Sequence, residues 1–192
     1  MISSDDDAMR NDMDGWHFCV EGEDARLALA RFLNGFEELR ARLAPSKYPN
    51  LEISDEGYLW FNIDATIGTI EVMAFPFGFS DMKAPFIAVS LPRKAEDIDL
   101  GILERLRKTS SEIAGAELFA NKRGITAQEI LAAYKRDRHP PLAFTSDFDE
   151  ILDAKGKGVF FSYLGFRFSV SGRTVLQIER MIRNIVSKLE GK

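Results

Sequence analysis

His17 and Cys19 stand two apart in Trp16-His17-Phe18-Cys19-Val20. On a strand that spacing puts both side chains on one face, where a thiolate could meet its base or two ligands could share a metal ion. A thiolate nucleophile needs a base and usually a third group that orients it, and a zinc site needs about four ligands. The chain holds one further histidine, His139, and no further cysteine. Neither set is complete, so His17 and Cys19 are expected to be a half-buried strand pair. Asp147, Asp149, Glu150 and Asp153 form a carboxylate cluster whose hard oxygens would suit Mg²⁺. No second acidic cluster completes such a site, and three of the four fall where a helix N-terminus favours negative charge. No metal or other cofactor is expected.

Gly156-Lys157-Gly158 has the look of a phosphate-binding turn. A phosphate loop needs G-x-x-x-x-G-K followed by Ser or Thr, and that spacing is absent. Lys157-Gly158 followed by Phe161 also matches part of the aromatic strand of RNA-recognition domains, and the pattern fails at Val159, Phe160 and Ser162. A hairpin turn with core aromatics is the simpler expectation. Arg105, Arg107 and Lys108, like Lys135, Arg136, Arg138 and His139, fall near expected helix C-termini, where cations interact favourably with the last carbonyls.

The elements that must position these residues are clearest at the end of the chain. Val159 to Tyr163 and Phe166 to Val170 are short, aromatic and β-rich, and read as two strands. From Thr174 the period changes to three and four: Val175, Ile178, Ile182, Ile185 and Leu189 make one apolar stripe of a helix. That stripe must be buried in the protomer core or across a homodimer.

Earlier, Trp16 to Val20 alternates as a short strand, and Glu23-Asp24 open a helix with Leu29, Phe32, Leu33, Phe36, Leu39 and Leu43 inward. Gly35 weakens that helix by roughly 1 kcal/mol relative to alanine, and Pro45 ends it. Leu51–Ile53, Tyr58–Ile63, Thr69–Phe75 and Phe86–Leu91 read as strands. Phe75-Pro76-Phe77-Gly78-Phe79 is broken by proline and glycine and reads as a loop. From Asp97 the pattern turns helical through Leu100, Leu103 and Leu106, with Ile113, Glu117 and Ala120 as its continuation. A capping box at Thr126-Ala127-Gln128-Glu129 starts a short helix, and Ser146 or Asp147 starts another turn through Leu152.

The predicted fold is therefore α+β, an antiparallel aromatic-rich sheet with helices mainly on one face, in the order β-α-β-β-β-β-α-α-β-β-α. Residues 15–192 form a single domain with a helical insertion around 125–156. Residues 1–14 hold five aspartates and one arginine and are expected to be a solvated, disordered acidic tail. One cysteine excludes an internal disulfide and fits a reducing, cytoplasmic setting. No stretch has the ~20 apolar residues of a membrane span. The net charge is −5, with 15 Asp/Glu against 6 Lys/Arg in residues 1–72 and 15 against 19 thereafter. An acidic chain is a poor prospect for non-specific nucleic-acid binding.

The order of helix, three or four strands, helix, two strands, helix resembles class I type III secretion chaperones and YbjN-like proteins. Leu29–Leu43, Tyr58–Leu91, Leu100–Ala120, Val159–Val170 and Val175–Leu189 carry the resemblance, which includes no diagnostic motif. It implies a small acidic homodimer that binds a segment of another protein and catalyses nothing. The strand at Trp16, the acidic tail and the insertion depart from the pattern. The expectation is a non-catalytic protein-binding module of chaperone, immunity or inhibitor type, with Phe75, Phe77 and Phe79 either its partner contact or a loop folded back over an open end of the sheet as part of the core. The alternatives are a nucleic-acid-associated protein using the basic residues of the C-terminal half, or a small enzyme.

Overall fold

The computed structural model describes residues 17–18, 22–44, 52–53, 58–78, 84–91, 100–123, 143–145, 147–156 and 160–192. The elements are α1 (Ala25–Leu43), β1 (Glu52–Ile53), β2 (Leu59–Ala65), β3 (Gly68–Phe75), β4 (Phe86–Ser90), α2 (Leu100–Glu112), β5 (Glu117–Arg123), β6 (Ala143–Thr145), α3 (Phe148–Gly156), β7 (Phe160–Ser169) and α4 (Val175–Leu189). The strands form one sheet in the order β1-β2-β3-β4-β7-β5-β6, with every pairing antiparallel. Side chains alternate across a strand, so each strand feeds both faces. Leu59 and Phe61 of β2, Ile70, Val72 and Ala74 of β3, Ile87 and Val89 of β4, Leu118 and Ala120 of β5, and Phe166 and Phe168 of β7 share one core with residues of all four helices. The fold is α+β, as the sequence predicts.

The helices start where their caps dictate. The Asp24 carboxylate accepts the Arg26 N–H at 2.9 Å and opens α1. Thr174 and Gln177 satisfy each other's backbone N–H groups in a capping box that opens α4. At the far end of α4, Gly191 N–H bonds Lys188 O and Lys192 N–H bonds Ser187 O. With Gly191 at φ 80°, this is a Schellman ending. Val175, Ile178, Ile182, Ile185 and Leu189 are each no more than 1 % exposed within the single chain. Burying such a side chain stabilises by roughly 1.5–3 kcal/mol, and here the protomer core takes all five. A homodimer through this stripe is thereby corrected: the fold has already used the surface such a dimer would need.

Three further expectations are corrected. Leu118 and Ala120 belong to strand β5, and the helix stops at Glu112, followed by a turn in which Gly115 adopts φ 78°. Phe119 is buried on the opposite face from Leu118 and Ala120, so the strand lacks the polar alternation that would have marked it. Phe160 to Ser169 is one continuous strand, not two. Phe75 is the last residue of β3 and is buried, so the loop begins at Pro76. Within the expected insertion the described residues hold strand β6 and the nine-residue α3, which starts after Asp147 as the sequence suggests. Residues 124–142, with the expected helix after Thr126, lie outside the described residues.

At the expected first strand, His17 makes an isolated bridge to Thr174 and Phe18 N–H bonds Arg173 O at 3.3 Å. Trp16, Cys19 and Val20 lie outside the described residues, as do residues 1–14. Phe18 is fully buried, its ring 5.6 Å from that of Phe32. Gly35 explains the fit: a Cβ there would come 3.1 Å from the Phe18 ring. The glycine that weakens α1 by propensity makes room for this aromatic.

Candidate functional site

The face of the sheet away from the helices carries an aromatic cluster. Tyr58, Met73, Phe75, Phe86, Ala88 and Phe119 are buried there, with Trp60 and Tyr163 packed against them. Phe75 and Phe86 are direct cross-strand partners, and their rings stack at 4.5 Å and 14°. Such pairs contribute about 0.5–1.5 kcal/mol beyond the area they bury. Tyr58 lies 5.0 Å from Phe75 and meets Tyr163 edge-on at 6.2 Å, the two hydroxyls sharing a hydrogen bond. Arg167, opposite Ala88 on one side and Glu117 on the other, donates from Nε to Glu117 Oε2 at 3.2 Å.

This stacked base holds the chain as it leaves the sheet. Gly78 N–H bonds Phe75 O at 3.2 Å and closes a four-residue turn with Pro76 and Phe77 at its centre. Proline suits the second position of a turn because its ring presets φ, and Gly78 supplies φ 70° at the exit. Phe77 sits at the apex, 74 % exposed, the most exposed large hydrophobic side chain among the described residues. The three phenylalanines of the expected contact thus part company. Phe75 is core, Phe77 is presented to solvent, and Phe79 lies outside the described residues.

The other sequence candidates divide in the same way. His17 is exposed and engaged through its backbone, and with Cys19 outside the described residues the pair does not form a described site. Asp147 Oδ1 accepts the N–H groups of Asp149 at 2.8 Å and Glu150 at 3.4 Å. That is an N-cap on α3, with Asp149 and Glu150 in the first turn. No group of three or more metal-ligating side chains occurs among the described residues. Gly156 ends α3, and Lys157 and Gly158 lie outside the described residues. The Arg107 guanidinium lies 5.6 Å over the Phe148 ring, and Lys108 pairs with Glu112 at 3.9 Å. The second basic group, Lys135 to His139, lies outside the described residues.

One feature has no counterpart in the sequence patterns. Leu43 at the end of α1, Ile63 of β2, and Ile182 and Val186 of α4 line an open apolar groove of about 210 Å³, edged by Arg183, Glu190 and Lys192. Its residues come from three elements far apart in the chain. Glu190 accepts from Lys192 and Thr66, and these bonds, that from Lys192 foremost, hold its carboxyl well below the usual carboxylate range, at about 2.

In comparisons with known proteins, no family model, no curated protein and no solved structure matches this chain. Among the described residues no helix is long and apolar enough to cross a membrane.

Proposed function

We propose that this protein is a non-catalytic protein-binding module, of chaperone, immunity or inhibitor type, and that Phe77 anchors its partner. The observation that carries this reading is a phenylalanine 74 % exposed on a turn whose base is immobilised by the Phe75–Phe86 stack. The turn fixes the backbone that presents the ring, so docking need not order that stretch of chain, and aromatics are enriched among the side chains that dominate interface energy. A partial likeness to type III secretion chaperones and YbjN-like proteins rests on the order α1, β1 to β4, α2 and on the closing helix α4, with α3 standing between β6 and the single last strand β7. The single cysteine supports action in the reducing cytoplasm.

The test compares wild type with Phe77→Ala in co-purification from the native cell. A partner retained by wild type and lost by Phe77→Ala supports the proposal. An unchanged partner set shows that Phe77 is not the anchor. Salt-sensitive retention on nucleic acid would favour the nucleic-acid alternative instead, and turnover of a small molecule would favour the enzyme alternative.

A further inference from the structure

The open groove formed by α1, β2 and α4 is apolar inside and cationic around it. Leu43, Ile63, Ile182 and Val186 supply the apolar lining. The acids nearby are already satisfied. Glu190 accepts from Thr66 N–H at 2.7 Å and from Lys192 Nζ at 2.7 Å, and Glu179 is held by Arg183 at 2.8 Å and Arg42 at 3.6 Å. Arg180 is exposed on the outer face of α4 and pairs with nothing among the described residues. Residues 173–192 carry five Lys/Arg against two Glu. Such a surface suits an acidic segment with widely spaced apolar side chains. Residues 1–14 are of that kind: five aspartates and one arginine, with Met9 and Met13 four apart. Methionine fills irregular apolar gaps well because its side chain is unbranched and pliable.

We propose that the groove is the docking site of this chain's own acidic N-terminal segment, with Met9 and Met13 in the apolar lining and the aspartates beside Arg180, Arg183 and Lys192. The place where the chain enters the fold carries the argument. His17 makes an antiparallel bridge to Thr174, and Phe18 N–H bonds Arg173 O. Antiparallel partners run in opposite senses, so tracing back from His17 follows the sense in which α4 begins. Ile182 lies eight residues beyond Thr174 and Glu190 sixteen, about 12 and 24 Å along a helix. From His17 back to Met13 is four residues and to Met9 eight, a reach of about 13 and 26 Å when extended. The two methionines thus match the two ends of the groove. Composition alone suggests a solvated tail, and the groove gives its apolar side chains a place to dock. The inference does not involve Phe77, whose turn follows β3.

Methyl NMR of the full chain, labelled at methionine, isoleucine and valine, tests the docking. The Met9 and Met13 signals should be displaced from their positions in a synthetic peptide of residues 1–14, and should show contacts to the Ile182 and Val186 methyls at every protein concentration. Arg180→Glu reverses an exposed charge, so the fold should be unaffected while both signals lose about half or more of their displacement. Val186→Ser removes an apolar wall and should act in the same direction. Met9 and Met13 signals at the free-peptide positions would overturn the proposal and leave the groove to a partner from outside the chain. Displaced signals that ignore both substitutions would place the segment elsewhere on the fold. A displacement that grows with protein concentration would place it on a second copy. Should Val186→Ser fail to fold, Arg180→Glu decides: a return toward the free positions supports the docking, and no movement removes it.

Discussion

A Cβ placed on Gly165 would lie 1.9 Å from the carbonyl oxygen of Val89. Gly165 is in the middle of β7, opposite Ser90 of β4 and Phe119 of β5, and its backbone is extended. What it supplies is space. The β4–β7 pairing ends here, and the Ser90 hydroxyl accepts the next amide, Leu164 N–H, at 3.0 Å, while Leu91 N–H bonds Leu164 O at 2.9 Å. The Leu164 and Leu91 N–H groups are thereby both satisfied where the strands crowd together.

Gly165→Ala should therefore be strongly destabilising, by about 2–3 kcal/mol or more, because the clash is with backbone and cannot be relieved by a rotamer change. Chemical denaturation measures it directly. A variant with wild-type stability would mean that β4 and β7 do not approach this closely.

Ile182→Asp should not yield a cooperatively folded protein. Ile182 is wholly buried among apolar side chains, and an unpaired carboxylate there costs several kcal/mol or forces the group to remain protonated. Soluble Ile182→Asp protein with a sharp thermal transition would show that α4 is not packed in the protomer core.

Glu190 makes stability depend on pH in acid. Its folded pKa of about 2 lies below the ordinary glutamate value of roughly 4.3. The sign follows from proton binding: the unfolded chain takes up the proton first as pH falls. The contribution of Glu190 is thus present above about pH 4.3 and lost between there and pH 2. The difference in stability between wild type and Glu190→Gln should shrink across this window. A difference that stays constant from pH 6 to pH 2.5 would mean the carboxylate is not held by Thr66 and Lys192.

What the sequence makes legible follows from how many faces of an element are buried. In α4 one stripe is apolar, the rest is polar, and Thr174 with Gln177 marks the start, so burial and capping can both be read in advance. Strands β2, β3 and β4 are recognisable from their β-branched and aromatic runs. β5 escapes because Leu118, Phe119 and Ala120 are buried on both faces, and Glu117 and Ala120 then mimic a helical spacing. β7 escapes because Gly165 suggests a turn where the structure uses it for a close approach. The groove is invisible for a different reason: Leu43, Ile63, Ile182 and Val186 each fit a regular apolar pattern, and only the packing of α1, β2 and α4 brings them together. The Phe75–Phe79 loop was half legible, since proline and glycine announce a turn but do not say which phenylalanine faces water.

Phe77 and Phe75, two residues apart, should respond to truncation in opposite ways. Phe75→Ala removes a stacked, buried ring and should cost about 3–5 kcal/mol. Phe77→Ala removes an exposed ring and should change stability by no more than about 0.5 kcal/mol, while weakening the partner's affinity by at least about 1 kcal/mol, roughly fivefold. The deciding measurement is a titration of the co-purified partner against wild type and Phe77→Ala, with the melting temperature of each taken alongside. Equal melting temperatures and a fivefold or greater loss of affinity are predicted. Equal affinity, or a fall in melting temperature matching that of Phe75→Ala, would contradict the assignment of Phe77 as the anchor.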